Sequence, residues 1–161
     1  MGLRKILTDK ESAQHKVCKP VTSFDSKLEK LLEDMTDTLI DSGGVGLAAP
    51  QIGIIRRVVL VINEKNEIME LINPEILEAE GAVVGVEGCL SVPGKRGTVE
   101  RPERLVVRAQ DREGREFEFD ADGLFAVCIC HELDHLDGIV YVDKMIEDVT
   151  DLEDDEEYEE E

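Results

Sequence analysis

The chain has 161 residues, with 38 acidic against 18 basic side chains, a formal net charge of −20 and a pI near 4.4. That length fits one domain with enough material for a real core. The longest apolar run, residues 124–130, is far too short for a membrane span, no signal-peptide core begins the chain, and Ile6 at the required Ser/Thr position rules out a myristoylation signal after Met1-Gly2.

In chain order, Leu28, Leu31, Leu32, Met35 and Leu39 recur at helical spacing, so residues 26–41 are expected to form a surface helix, with Asp25-Ser26 as caps and Gly43-Gly44 as its stop. Residues 43–51, Gly-Gly-Val-Gly-Leu-Ala-Ala-Pro-Gln, follow as a small-residue loop. Its spacing superficially matches a dinucleotide-binding turn, but that turn follows a strand and opens a helix. Here a helix precedes it and Pro50 interrupts what comes next. What remains is a loop that permits close backbone approach and ends in Gln51, whose amide can donate.

Strands are expected at 57–63, 68–71, 81–86, 98–109 and 115–119, with turns at 63–66 and 111–114. A second helix, 123–136, is apolar on most of its circumference and therefore belongs inside the fold. Gly138 stops it, and 139–142 is read as a returning strand. The plan is α+β, with antiparallel strands packed around a buried C-terminal helix. No internal repeat is visible.

That buried helix carries Cys-His-Glu-Leu-Asp-His. His131 and His135 stand four apart, one turn above each other, so both rings can reach one metal, and Glu132 between them can handle protons for its water. A third ligand is needed. The longer peptidase pattern requires histidine where Tyr141 stands, and downstream glutamates sit in a featureless acidic stretch. Cys89, in Glu-Gly-Cys-Leu-Ser, is the better candidate, its thiolate suited to zinc or ferrous iron. The other cysteines, Cys18, Cys128 and Cys130, form no C-x-x-C pair, which points to a reducing cytoplasm.

In order and spacing, Gly44-Val45-Gly46-Leu47-Ala48-Ala49-Pro50-Gln51, Glu87-Gly88-Cys89-Leu90-Ser91 and His131-Glu132-Leu133-Asp134-His135 resemble the three signature motifs of the peptide deformylases. Asn73-Pro74, Arg101-Pro102 and Gly138 extend the resemblance over roughly residues 20–145. It implies removal of the formyl group from the N-terminal formylmethionine of nascent chains. It further implies a divalent metal on Cys89, His131 and His135, ferrous iron in the cell, with zinc, nickel or cobalt as substitutes; the ligand set alone suggests zinc. Glu132 is then general base and acid, with the Gln51 side chain and the Leu90 N–H as oxyanion donors. Gly44, Val45, Gly46, Gly88, Arg96, Val127 and Cys128 are implied to contact the peptide. A Glu87–Arg101 ion pair is a candidate to fix the cysteine loop.

Two departures stand out. Cys130 replaces the glutamine that usually precedes the first histidine, and 10–16 lacks the family's usual N-terminal segment. The domain is expected to end at 146. Residues 147–161 hold eleven acidic side chains and no basic one, and read as a disordered tail. Such a tail is repelled by ribosomal RNA, so ribosome docking through it is not expected, nor is a membrane; a monomer is expected. Two other readings remain compatible with the residues: a non-catalytic metal- or nascent-chain-binding protein on the same scaffold, and an HExxH metallopeptidase with a different third ligand.

Overall fold

A computed structural model describes residues 2–7, 16–89 and 91–150. Helix α1 (Ser26–Ser42) begins where the Asp25 carboxylate accepts from the Lys27 and Leu28 amides, and ends at Gly43 in the left-handed region, φ 71°. Strand β1 (Gly46–Ala48) leads into a short 3-10 turn at Ala49–Ile52. Then come β2 (Val58–Ile62), β3 (Ile68–Glu80), β4 (Val83–Cys89), β5 (Val92–Arg101), β6 (Arg104–Gln110), β7 (Glu116–Asp122), α2 (Gly123–Leu136), α3 (Tyr141–Lys144) and β8 (Glu147–Asp148).

Five strands form one antiparallel sheet in the order β1-β2-β3-β6-β7, and β4-β5-β8 form a second. Strand β2, Val-Val-Leu-Val-Ile, shows why the larger sheet is sandwiched. Val58 and Leu60 pack with Leu28, Leu32, Met35 and Leu39 of α1, while Val59 and Val61 pack with Ala126, Ile129, Leu133 and Leu136 of α2. Successive side chains point to opposite faces, so a strand covered on both sides is apolar throughout. The α+β plan, with a buried helix that carries His131 and His135, is therefore the observed one.

The strand boundaries differ from the sequence reading in several places, among them Gly46–Ala48, expected within a loop and found as β1. Strand β3 does not stop at residue 71. Asn73, at φ 51°, and Pro74 sit in a bulge, and the strand resumes against β6. A bulge lets a residue without an N–H stay within a sheet. The Asn73 side chain fixes that bulge, accepting from the Val21 amide at 2.8 Å and donating to the Val21 carbonyl at 2.9 Å and to Gln110 Oε1 at 2.7 Å. Residues 98–109 are two strands in different sheets, divided around Pro102. Residues 139–142 do not form a strand: Tyr141 opens α3, and the Val140 amide donates to Asp143 Oδ2 at 2.9 Å.

Residues 147–150 run along β5. Glu147 and Asp148 pair with Thr98 and Gly97 of β5, the Val149 amide donates to the Arg96 carbonyl at 3.0 Å, and the Arg96 amide donates to Thr150 Oγ1 at 2.8 Å. Backbone pairing outweighs composition here, because an edge strand can be acidic when its side chains face water. Residues 151–161, and all but Lys16 of the departure expected over 10–16, lie outside the described residues.

Candidate active site

Strand β7 runs into α2 with no residue between them, and Gly123 makes the turn at φ 56°. The helix then enters the core with Ile129, Cys130, His131, Glu132, Leu133, His135 and Leu136 buried. Opposite it, β4 ends at a bulge between Glu87 and Cys89, which turns the cysteine toward the helix. Cys89 Sγ lies 3.4 Å from His135 Nε2, and one ligand atom from each of Cys89, His131 and His135 falls within 4.8 Å of the others.

Supporting contacts aim these groups. His131 Nδ1 is 2.9 Å from Glu87 Oε1, which leaves its other nitrogen for a ligand. Glu87 in turn accepts two bonds from Arg101, each 2.9 Å, and Arg101 Nη1 donates to Asp134 Oδ2 at 2.5 Å. One buried guanidinium thus ties the cysteine strand to the histidine helix. Burial pushes the Glu87 carboxyl up, but Arg101 and His131 outweigh it and hold the group down at about 2. The ring of Tyr141 stacks 6.0 Å from His131.

The two imidazoles differ. Burial pushes His131 down, yet its bonds to Cys89 and Glu87 hold it up at about 10, whereas burial and the charge of His131 press His135 down to about 3. Glu132, only 5 % exposed, has its carboxyl pushed up to about 7, chiefly by burial. Among the described residues, Glu132 Oε1 and His135 Nδ1 have no hydrogen-bond partner.

Gln51 sits beside Cys89. The Ala48 amide donates to its Oε1 at 2.9 Å, and its Nε2 donates to Ser91 Oγ at 3.1 Å and faces Cys89 Sγ at 3.6 Å. A cavity of about 860 Å³ opens over this group. Every residue expected to contact a peptide lines it: Gly44, Val45, Gly46, Gly88, Arg96, Val127 and Cys128. Leu90 lies outside the described residues. Cys130 packs into the main core, where burial pushes its thiol up to about 11.

Sequence reasoning gave Ser91 and Asp134 no role, though both stand inside quoted motifs. Ser91 is fully buried, and its amide reaches Cys89 Sγ at 3.5 Å. Proximity to a ligand was the available signal for each.

The arrangement offers one sulfur and two imidazole nitrogens to a divalent metal, a poised carboxyl beside them, and an amide donor across a cavity. The family model described as polypeptide deformylase matches residues 3–150. A peptide deformylase of Caldicellulosiruptor bescii is 52 % identical over 153 residues, covering 95 % of this chain and 92 % of that protein. One from Lachnoclostridium phytofermentans is 46 % identical, covering 98 % and 99 %. The crystal structure of a peptide deformylase from Legionella pneumophila superposes with a TM-score of 0.85 at 45 % identity, covering 89 % of this chain and 86 % of that one. A Synechococcus elongatus peptide deformylase in complex with actinonin gives 0.85 at 36 % identity, covering 90 % and 80 %.

Proposed function

The chain belongs to the peptide deformylase family of hydrolases, and from that premise we propose that it removes the formyl group from the N-terminal formylmethionine of newly made polypeptides. The observation that carries the reading is the convergence of Cys89, His131 and His135 within 4.8 Å beside the buried Glu132, whose Oε1 has no hydrogen-bond partner among the described residues.

The donor set fits a divalent metal. A thiolate and two imidazoles, one of them steadied by a carboxylate at 2.9 Å, match the ligand chemistry of zinc or ferrous iron. We take Fe(II) as the cellular metal, with zinc, nickel or cobalt as substitutes. Bound by these three side chains, such an ion supplies Lewis acidity and lowers the pKa of water toward about 7.

The chain's own groups do the rest. Glu132, with a pKa raised to about 7, takes the proton of the attacking water and returns it to the departing amine nitrogen. Gln51 Nε2, its amide oriented by the Ala48 N–H, donates to the oxyanion as the carbonyl carbon becomes tetrahedral, and the Leu90 N–H is the second donor. Val45, Val127 and Cys128 line the cavity that receives the methionine side chain, with Gly44, Gly46, Gly88 and Arg96 along the peptide backbone.

The ligand cluster bears on the alternatives. A metallopeptidase of another class requires a third ligand other than Cys89, whereas Cys89 adjoins both histidines. A binding protein gives no reason for a buried carboxyl whose Oε1 finds no partner among the described residues. We propose one catalytic domain that extends to Thr150, with the acidic run following it; the working protein is a cytoplasmic monomer that meets nascent chains without docking on the ribosome through that run. Among the described residues, no helix is long and apolar enough to cross a membrane.

The test is formate release from formyl-Met-Ala-Ser by protein purified anaerobically and loaded with iron or nickel, beside Glu132→Gln. Release by the wild type alone supports both the reaction and the base. Silence from both, with metal stoichiometrically bound, moves the assignment to a binding protein.

A further inference from the structure

Building on the deformylase reading, we infer that Ser91 is a positioning residue for the reaction: its hydroxyl holds the Gln51 amide so that one N–H stays turned toward the substrate's formyl carbonyl.

A side-chain amide that donates to a developing oxyanion can fail in two ways. It can flip, presenting its oxygen to the negative charge, or it can swing about a single contact that holds it. The Ala48 N–H, donating to Gln51 Oε1 at 2.9 Å, settles the first, because only the amide oxygen can accept there. Alone, that contact leaves the amide free to pivot. Ser91 supplies the second point: its Oγ accepts from Gln51 Nε2 at 3.1 Å. With oxygen and nitrogen each tied, the plane of the amide is fixed. Nε2 carries two hydrogens. Ser91 engages one, while Nε2 also faces Cys89 Sγ at 3.6 Å, on the side of the ligand cluster. The hydrogen on that side is the one left for the oxyanion.

The place of Ser91 in the fold suits that task. Gln51 and Ser91 are both buried, so the bond between them is strong and costly to leave unmade. Ser91 stands in the turn that joins Cys89 to Val92, which pair across β4 and β5, and its own amide reaches Cys89 Sγ at 3.5 Å. Backbone pairing therefore sets the height of the hydroxyl. Gln51 arrives from the turn after β1, and the bond ties that turn to the cysteine loop. Removing the hydroxyl leaves the Ser91 backbone N–H facing the Cys89 sulfur, so the two contacts of this residue can be separated by substitution.

The experiment is a double-mutant cycle of Ser91→Ala and Gln51→Ala in the full chain. It reads formate release from formyl-Met-Ala-Ser, metal stoichiometry and, in metal-free protein, hydrogen exchange of the Gln51 side-chain amide by heteronuclear NMR. Ser91→Ala should lower kcat about tenfold, short of the roughly 10²–10³ that loss of the donor itself costs, with KM and metal content held. The double variant should be no slower than Gln51→Ala alone, since Ser91 then has nothing left to orient. The Gln51 amide hydrogens should exchange faster in Ser91→Ala than in the wild type. If alanine at position 91 loosens the fold, Ser91→Thr and Ser91→Val, alike in shape and differing in the hydroxyl, must separate in kcat in favour of threonine. A wild-type kcat in Ser91→Ala overturns the inference. So do effects that multiply in the double variant, the mark of a residue that only packs, and metal loss in step with activity, which would put the effect on Cys89. Absence of formate from the wild type sinks the deformylase reading; amide exchange that is the same in the wild type and Ser91→Ala sinks this inference alone.

Discussion

The α-carbon of Gly46 lies against the carboxylate of Glu132: a Cβ at position 46 would come within 2.6 Å of Glu132 Oε2 and 2.8 Å of its Cγ. Strand β1 therefore supports the proposed base by leaving space that any side chain would fill. Gly46→Ala should push the carboxylate out of line and cut kcat by about 100-fold, the scale expected for a misplacement of roughly 1 Å. Metal content should stay at the wild-type level. Formate-release kinetics with metal analysis decide it, and near-normal kcat would refute the contact's importance.

Gln51→Ala tests the oxyanion donor. Losing one such donor costs on the order of 2.7–4 kcal/mol of transition-state stabilisation, a fall in turnover of about 10²–10³. Because Nε2 also faces Cys89 Sγ, metal stoichiometry must be measured in the same samples. Loss of metal in parallel with activity would refute the assigned role.

Arg101 is 3 % exposed and pairs with both Glu87 and Asp134. Arg101→Leu takes from the buried Glu87 carboxylate its guanidinium partner, leaving it only His131, while the half-buried Asp134 keeps Lys144, so equilibrium urea unfolding should show a loss of about 3–5 kcal/mol. A change below about 1 kcal/mol, the scale of an exposed pair, would mean that the cluster is solvated in solution.

The depressed carboxyl of Glu87 gives a pH signature in metal-free protein. Its folded value of about 2 lies below the ordinary 4.5, so the unfolded chain binds its proton first as acid is added. The stabilisation is fully present above about 4.5 and is lost as pH falls toward about 2. Glu87→Gln should flatten the stability curve in that window. Parallel curves for the two proteins would refute the linkage.

Metal uptake should release protons. With His131 held up at about 10 in the metal-free protein, its ring is protonated at neutral pH, and a metal must displace that proton. Calorimetric titration in buffers of differing ionisation enthalpy should show at least one proton released per metal at pH 7, and affinity should fall as pH is lowered. A heat independent of buffer would contradict this.

Local signals were legible in the sequence, and long-range ones only where the family resemblance supplied them. The spacing of Leu28 through Leu39 fixes α1, and the i, i+4 histidines on an apolar helix fix half of the ligand set. Cys89 stands 46 positions from His135, and no periodicity links such residues. Strand β3 was cut short because Pro74 reads as a stop unless a bulge is known to absorb it. Residues 139–142 look like a strand by composition, but the buried Tyr141 and the Asp143 cap select a helical turn. Acidic composition likewise hid Glu147 and Asp148, since backbone pairing leaves no mark on side-chain chemistry.

The junction of β7 with α2 acts as a phase lock. With Asp122 ending the strand and Gly123 opening the helix, no slack separates the sheet from the two imidazoles. One residue inserted there would rotate everything after it by about 100° about the helix axis, swinging both rings away from Cys89. The turn at 111–114, one hairpin earlier, has only its own four residues to satisfy. Length variation is thus affordable before β7 and not after it, so the reading frame of the candidate metal site is set where the last residue of a strand meets the helix.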